Sequence, residues 1–302
     1  MCGVCGCSEG SSTTITHPDG SHSHVNADGT ITTHAHHGEA GHTHSHDHEH
    51  AHAHEGHDHV HAHAHEGHGH AHVHAHGHAH SHAQSSTKVT VEAIETEIFA
   101  KNDRLAERNR GWLAGREVFA VNLMSSPGSG KTTLLERTLK GLDTPAAVLE
   151  GDQETPLDAE RIRATGAPVA QINTGKGCHL EAEMVWHGLE TLRPALGSVL
   201  FIENVGNLVC PALFDLGEAK RVVLFSTTEG EDKPLKYPHM FKAADLVILS
   251  KTDLIPHLDF DHARAIGSVK EINPDAEILE LSARTGEGMD AWFTWLKSQG
   301  QS

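Results

Sequence analysis

The stretch that decides the fold is Met-Ser-Ser-Pro-Gly-Ser-Gly-Lys-Thr-Thr at residues 124–133. It lies between an apolar run at residues 118–124 and a helix-favouring run at residues 134–139. The two glycines leave backbone N–H groups free to surround an anion, and the positive end of a following helix would add to the attraction. We therefore interpret this stretch as a phosphate-binding loop between a strand and a helix.

The loop follows the pattern G-x-x-x-x-G-K-[ST], except that Ser125 stands where the pattern has its first Gly. In this pattern Lys131 reaches the β- and γ-phosphates and Thr132 holds Mg²⁺. An ordinary glycine-rich turn is the alternative, but the strand and helix that the motif requires are both expected here. The remaining loop residues predicted to bind nucleotide are Gly128, Ser129, Gly130 and Thr133.

The composition divides the 302 residues into two parts. Residues 1–87 contain no Lys, Arg, Phe, Trp or Tyr, and 26 of the 31 histidines lie in the first 82 residues. Such a segment cannot build a core, so we predict a disordered metal-binding tail at 1–87 and a globular domain at 88–302. The formal net charge of −18 disfavours nucleic acid as a partner and favours cations. Without a basic leader or an apolar run of bilayer length, a cytoplasmic protein with no membrane contact is expected.

The beginning of the tail contains a cluster of thiols. Cys2, Cys5 and Cys7 lie within six residues and are separated by flexible glycines. Thiolates favour nickel, zinc or copper(I) over magnesium, which makes these residues candidate metal ligands. A flexible, redox-exposed terminus with no fixed ligand fits the same spacing equally well.

A histidine-rich tract spans residues 17–82, and from residue 42 histidine recurs mainly at every second position. The intervening residues are small or acidic rather than apolar, so the alternation indicates low complexity and not a strand. Neutral imidazoles bind divalent transition metals, and at about four ligands per ion the tract would hold roughly six ions. An affinity tag is disfavoured because tags are short uninterrupted runs.

After residue 88, short apolar runs alternate with amphipathic stretches, which predicts an α/β fold of the P-loop nucleoside triphosphatase type. The sheet should be mostly parallel with helices on both faces, and ligands should bind at the carboxyl ends of its strands. Predicted strands span residues 117–124, 146–149, 169–172, 199–203, 222–226, 246–249 and 277–281. Predicted helices span residues 89–112, 132–141, 156–165, 179–192, 239–243, 260–272 and 289–297.

Polar motifs follow several of these strands. Asp152 is placed to contact Mg²⁺ or to orient a water, Glu203 to join the Mg²⁺ shell, and Gly206 to donate its N–H to a γ-phosphate. With Lys131, the residues Asp152 and Gly206 form the predicted catalytic set. A polar loop at a strand end is the alternative for each motif, but their common order along the chain favours hydrolysis of a nucleoside triphosphate.

Two further motifs point to guanine as the base. Asp253 can accept hydrogen bonds from guanine N1 and N2, Lys251 can cover the ring, and Ser282 with Ala283 can close over O6. Ser250 stands where Asn is more usual, so one base contact is weakened. We therefore predict a GTPase.

A second candidate metal site lies among these motifs. Cys178 and His179 open a predicted helix, and Cys210 lies four residues beyond Gly206. Two thiolates and an imidazole suit Zn²⁺ or Ni²⁺, although Cys is also a common buried apolar residue. Because Gly206 would contact the γ-phosphate, hydrolysis is expected to move Cys210 and to change the affinity for metal.

Across nearly its whole length the chain resembles the HypB family, GTPases that deliver nickel during maturation of [NiFe]-hydrogenase. The most specific stretches are residues 2–7, 173–179, 203–211 and 228–238. The resemblance implies a nickel site at Cys2, Cys5 and Cys7, and a nickel or zinc site at Cys178, His179 and Cys210. It also implies GTP and Mg²⁺ as cofactors and a homodimer linked to GTP. Nickel would pass, with the zinc protein HypA, to the precursor of the hydrogenase large subunit, and the histidine tract would store nickel.

Two other functions stay open. One is a urease-type nickel GTPase similar to UreG, whose metal motif is Cys-Pro-His, whereas this chain has Cys178-His179 with Cys210. The other is a nickel or zinc storage protein whose GTPase domain is inactive.

Overall fold

The computed structural model describes residues 13–16, 21–25, 31–34, 91–152, 157–175 and 177–300. The predicted thiol cluster at Cys2, Cys5 and Cys7 and most of the histidine tract lie outside these ranges. Among the described helices, none combines the length and the apolar character needed to cross a bilayer.

A sheet of seven parallel strands forms the centre of the domain, as the alternating pattern predicted. Most of the buried residues in these strands are aliphatic, as expected for a sheet covered on both faces. The strands are β4 (Phe119–Ser125), β5 (Ala146–Asp152), β6 (Val169–Asn173), β7 (Val199–Glu203), β8 (Lys220–Ser226), β9 (Leu246–Ser250) and β10 (Glu277–Leu281).

The strand order places the phosphate-binding loop at the middle of the sheet. The parallel strands lie in the order β10-β9-β8-β4-β7-β5-β6, so that β4 is flanked by β7 on one side and β8 on the other. The chain goes from β4 to one half of the sheet and returns to the other half after β7. A ligand crevice forms at such a reversal, outside the carboxyl ends of the strands.

Helices cover both faces of the sheet. Alternate residues of each strand point to opposite faces. Leu123 packs in one buried cluster with the helices at residues 131–141 and 289–299, whereas Met124 packs in another with the helices at residues 238–242 and 262–272. The helices are α1 (Val91–Ala114), α2 (Lys131–Gly141), α3 (Leu157–Arg163), α4 (Ala182–Leu192), α5 (Lys233–Lys236), α6 (Pro238–Lys242), α7 (His262–Ile272) and α8 (Met289–Gln299). The predicted doubly covered α/β fold is therefore confirmed.

Two element boundaries differ from the prediction in ways that matter for the site. Strand β5 continues to Asp152 instead of ending at residue 149, so Glu150 lies within a buried strand and not in a polar loop. Helix α4 begins at Ala182, so Cys178 and His179 lie in the loop before it. At both boundaries polar residues adjoin the element, and a hydrophobicity pattern does not show whether they belong to it.

Three short strands extend the sheet beyond β6 and lie within the segment predicted to be disordered. They are β1 (Thr13–Thr16), β2 (His22–Val25) and β3 (Ile31–His34), and they form an antiparallel meander. Strand β1 pairs antiparallel with β6, with Ile15 opposite Ile172. Ile15 is buried in the same apolar cluster as Leu180 and Leu189. These residues form strands although their segment has no core of its own, because its backbone can add to an existing sheet edge.

Candidate functional site

The phosphate-binding loop has the backbone shape that its glycines allow. Gly128 and Gly130 have φ values of 75° and 103°, in the left-handed region that L residues with a side chain rarely adopt. Gly130 directly precedes α2, so that the N–H groups of the first helical turn open into the loop. This arrangement fits an anion at the end of β4.

Ser125 has a structural role in the position where the motif has its first Gly. The Nζ atom of buried Lys131 donates to Ser125 Oγ at 2.8 Å, and Ser125 Oγ donates in turn to the carbonyl of Ser126 at 2.7 Å. Burial lowers the pKa of Lys131, while nearby carboxylates, Glu203 foremost, act to raise it. The lysine is therefore held along the loop, ready to move to a phosphate.

Thr132 and Glu203 meet at the predicted magnesium site. Thr132 Oγ1 donates to Glu203 Oε1 at 2.8 Å. The second carboxylate oxygen of Glu203 is buried and has no hydrogen-bond partner among the described residues. Burial raises the pKa of Glu203 to about 7, although Lys131 and the Thr132 hydrogen bond oppose the rise. A hydroxyl and an unsatisfied carboxylate oxygen are ligands that suit Mg²⁺, so the residues fit this ion.

Glu150 is a buried acid of the site that the sequence does not single out. It is the register partner of Glu203 on the neighbouring strand, and one of its carboxylate oxygens also lacks a partner among the described residues. Burial, and then the proximity of Glu203 and Asp152, raises the pKa of Glu150 to about 9. The two carboxylates share a site that favours a proton or a cation.

The other two predicted catalytic residues lie at the same end of the sheet, where the carboxyl ends of the parallel strands meet. Asp152 ends β5, and its carbonyl accepts the Thr174 N–H at 2.9 Å. Gly206 lies against the phosphate-binding loop so closely that an added Cβ would be 3.1 Å from the Pro127 Cα. Residues 153–156, which directly follow Asp152, lie outside the described residues.

The predicted base-binding residues line one cavity of about 410 Å³ beside the loop. Lys251, in a left-handed conformation, donates from Nζ to the Gly128 carbonyl at 2.7 Å, which joins the cavity to the phosphate site. Ser250 Oγ donates to the Ser129 carbonyl at 2.7 Å, so this serine supports the loop. The predicted residues in the lining are Ser129, Gly130, Thr133, Lys251, Asp253, Ser282 and Ala283.

A further acid supports the loop from the side of β8. The carboxylate of Glu229 accepts the Ser226 N–H at 2.9 Å and the Ser126 hydroxyl, and it pairs with Lys233 at 3.3 Å. Glu229 belongs to the stretch 228–238 that resembles the HypB family, but the sequence predicts no particular function for this residue. The sequence could not show its contact with Ser126, because the two residues are 103 positions apart.

The structure brings Cys178, His179 and Cys210 together in one group. The two sulfurs lie 2.9 Å apart, Cys178 Sγ lies 3.6 Å from His179 Nδ1, and all three donor atoms lie within 4.8 Å of one another. The three donor atoms are thus gathered in one place, and thiolate with imidazole is a donor set for nickel or zinc.

The imidazole of His179 is positioned by its surroundings. Its ring stacks on Phe214 with centroids 4.0 Å apart, and Nε2 lies 3.7 Å from a carboxylate oxygen of Glu181. Nε2 is buried without a hydrogen-bond partner among the described residues, and Nδ1 faces the sulfur of Cys178. The Glu181 carboxylate thus lies on the side of Nε2, and Nδ1 is the nitrogen that faces the thiol.

Helix α1 holds the two halves of this group together. Asn102 accepts the Ala182 N–H at 2.9 Å, on the side of Cys178 and His179, and donates to the Asp215 carbonyl at 2.8 Å, on the side of Cys210. Asn109 repeats the link by donating to the carbonyls of Ala182 and Leu216 at 2.8 and 3.0 Å. Helix α1, which precedes the nucleotide motifs in the chain, thus helps to set the distance between the thiols of Cys178 and Cys210.

The sheet, the phosphate-binding loop and the base cavity define the class of the protein: a P-loop nucleotide-binding protein of the GTPase type, with a cysteine and histidine group beside the nucleotide site. Residues 119–280 match the family model described as CobW/HypB/UreG, nucleotide-binding domain. The chain belongs to the HypB family.

Individual relatives agree with this assignment. Hydrogenase maturation factor HypB of Azotobacter vinelandii is 60% identical over 208 residues, covering 68% of this chain and 69% of the relative. The factor of the same name from Escherichia coli strain K12 is 57% identical over 208 residues, covering 68% and 72%. The crystal structure of HypB from Helicobacter pylori in complex with nickel has a TM-score of 0.64 at 38% identity, covering 67% of this chain and 95% of that chain.

Proposed function

We propose that this chain is a GTP-hydrolysing nickel chaperone that stores nickel and delivers it to the precursor of the [NiFe]-hydrogenase large subunit. The observation that carries the proposal is the segment of residues 203–210, which begins at the last residue of β7. Within it, Glu203 is bonded to Thr132, Gly206 rests on Pro127, and Cys210 lies beside Cys178. One segment thus belongs to both the nucleotide site and the metal site.

The geometry supports a simple division of labour in GTP hydrolysis. The N–H groups of the loop at residues 128–133 and the Lys131 ammonium hold the phosphates. Mg²⁺, held by Thr132 and Glu203, would supply charge neutralisation to the phosphates. Asp152 orients the attacking water, and Gly206 donates its N–H to the γ-phosphate until that group leaves.

Base recognition occurs in the cavity beside the loop. The carboxylate of Asp253 accepts from guanine N1 and N2, Lys251 covers the ring, and the backbone at Ser282 and Ala283 closes on O6. The hydrogen bond from Lys251 to the Gly128 carbonyl keeps this lysine above the cavity.

Nickel is the cargo, and three sites along the chain take part. The histidine tract stores labile ions, the thiols of Cys2, Cys5 and Cys7 hold one more tightly, and the group of Cys178, His179 and Cys210 releases its ion on hydrolysis. Because Gly206 and Cys210 share a loop, loss of the γ-phosphate would shift one thiol against the other. Zinc competes for the same thiolates.

We further propose a homodimer linked to GTP, with the zinc protein HypA and the large subunit precursor as partners. Two apolar residues close to Cys210 in the chain are exposed: Val209 by 48% and Leu213 by 38%. Apolar side chains next to a metal group suit a second copy or a recipient protein that covers them. The cytoplasm is the expected compartment.

The enzymatic part is tested by GTP turnover. Lys131→Ala should lower kcat/KM for GTP by about a hundredfold or more, because it removes the cation that stabilises the transferring phosphate. Arg104→Ala, at an exposed position on α1, is the matched control and should leave turnover unchanged. Equal rates for Lys131→Ala and the unmodified chain would mean that the GTPase domain is inactive and that the protein only stores metal.

The biological assignment is tested by complementation. A strain lacking its own HypB should regain nickel-dependent hydrogenase activity with this chain but not with the Lys131→Ala variant. Recovery of urease activity alone, in a strain lacking its urease GTPase, would favour the urease-type alternative.

A further inference from the structure

Asn204 is a buried polar residue of the loop after β7, and it connects this loop to the side of the metal group that contains Cys178 and His179. Its side chain is 1% exposed. The amide oxygen accepts the Leu180 N–H at 3.2 Å and the Val205 N–H at 3.0 Å, and the amide nitrogen donates to Asn122 Oδ1 at 3.3 Å. Leu180 directly follows His179. Asn204 therefore connects the loop after β7 with the segment that carries Cys178 and His179.

Leu180 also contacts the other strand end of the nucleotide site. It is fully buried, and a Cβ added at Gly151 would lie 2.8 Å from its Cγ atom. Gly151 lies between Glu150 and Asp152. Leu180, the residue after His179, thus packs on β5 and donates its N–H to the loop after β7.

The two halves of the metal group are consequently linked to the nucleotide site in different ways. Cys210 is linked through the chain itself, four residues beyond Gly206. His179 is linked through the hydrogen bond between Leu180 and Asn204. Coupling between two sites requires an element whose position both ligands influence, and residues 203–210 are the candidate: they reach Cys210 through the chain and His179 through this hydrogen bond.

We propose that Asn204 is a positioning residue that transmits the nucleotide state to the Cys178 and His179 half of the metal group. The inference rests on the proposed function, since it assumes that nickel affinity differs between the GTP and GDP states. When Gly206 moves with the γ-phosphate, Asn204 moves Leu180 and thereby changes the placement of His179 relative to Cys210. The side chain touches neither the nucleotide nor the metal in this scheme.

The test uses the full chain with Cys2, Cys5 and Cys7 changed to Ser as the parent. In this parent the absorption of sulfur-to-nickel charge transfer reports on Cys178 and Cys210 and not on the histidine tract. Free Ni²⁺ is set with a competing chelator, and half-saturation is measured with GDP and with a non-hydrolysable GTP analogue. The parent should show a ratio of at least about fivefold between the two nucleotides.

Asn204→Ala should lower that ratio by at least about twofold while the charge-transfer band remains, because the link through Cys210 is left in place. Asn273→Ala is the matched control, because Asn273 also donates amide hydrogen bonds, here part-buried, to the carbonyls of Phe241 and Ala244, far from both ligands in the chain. It should keep the ratio of the parent. If Asn204→Ala does not fold, Asn204→Ser, whose hydroxyl is too short to reach the Leu180 N–H, should give the same loss of ratio.

The outcomes distinguish the role of Asn204 from the proposed link between GTP and nickel. A ratio of unity in the parent would overturn the proposed link between GTP and nickel itself. A parent ratio that persists in the Asn204 variants would overturn the role of Asn204 and leave the proposed function standing. A fall of the ratio in Asn273→Ala as well would show a general loss of stability and would equally overturn the specific role.

Discussion

Glu150 and Glu203 are register partners on adjacent parallel strands, and both carboxyl groups are buried, with exposures of 2% and 4%. Each retains one oxygen without a hydrogen-bond partner among the described residues. Buried carboxylates are costly unless they are protonated, paired or bound to a cation. In the nucleotide-free protein, ionisation of both carboxyl groups is therefore unfavourable at the place where Mg²⁺ and the phosphates are proposed to bind.

This pair predicts how stability depends on pH. In the folded, nucleotide-free protein the pKa of Glu150 is raised from 4.5 to about 9, so between these values the folded state keeps a proton that the unfolded chain releases. The contribution of Glu150 to stability is then greatest below pH 4.5 and falls as the pH rises towards 9. Glu150→Gln removes this dependence and should stabilise the protein at pH 8.5 by at least about 1.4 kcal/mol, the value of one pKa unit, with little effect at pH 5.

Urea unfolding with chelator and without nucleotide measures the effect. Glu160→Gln makes the same change of charge at an exposed position of α3 and should leave the slope of stability against pH unchanged. An identical slope in the Glu150→Gln and unmodified proteins would show that this carboxyl does not control the pH dependence.

Asn102 is expected to control the affinity of the internal metal site. Asn102→Ala removes the hydrogen bonds to Ala182 and Asp215 and leaves both backbone groups buried without them, so the two thiols lose a fixed separation. Nickel affinity, measured by the charge-transfer band in the parent with Ser at positions 2, 5 and 7, should fall about tenfold with either nucleotide. Asn273→Ala should leave it within about twofold, and equal losses in both variants would argue against a specific role.

The contact of β1 with β6 is tested through Ile15. Ile15→Ala should weaken the docking of the strand by about 2–4 kcal/mol, because it deletes a fully buried side chain. Amide hydrogen exchange at Gln171 and Asn173 should then accelerate by about tenfold or more. Leu196→Ala, which truncates a side chain that is 69% exposed, should leave exchange at these positions unchanged. Unaltered exchange in Ile15→Ala would mean that the strand does not protect the sheet edge.

The histidine tract should contribute nickel capacity without affecting hydrolysis. Deleting residues 42–82 removes most of the imidazoles and should lower the nickel bound per chain by roughly four to six ions, at about four ligands per ion. Equilibrium dialysis measures the stoichiometry and phosphate release measures GTP turnover. Loss of turnover in the deletion would contradict the separation of storage from catalysis.

The sequence by itself determined the parallel sheet, the helices on both faces and the phosphate-binding loop, because each depends on local periodicity or on the conformational freedom of particular glycines. It also placed Lys131, Thr132 and Glu203 at one edge of the sheet, since the carboxyl ends of parallel strands meet there. Local pattern carries this information because the residues that share a role are close in the chain or follow successive strands.

Tertiary structure alone decided the contacts between distant segments. The register that sets Glu150 beside Glu203, the bridge of Asn102 between Ala182 and Asp215, and the hydrogen bond of Asn204 to Leu180 all join separate elements. It also revealed that β1 adds to the edge of the sheet, although its segment has no core of its own. Such contacts depend on how strands align and helices pack, and a residue's type and neighbours in the chain do not specify the partner that packing brings to it.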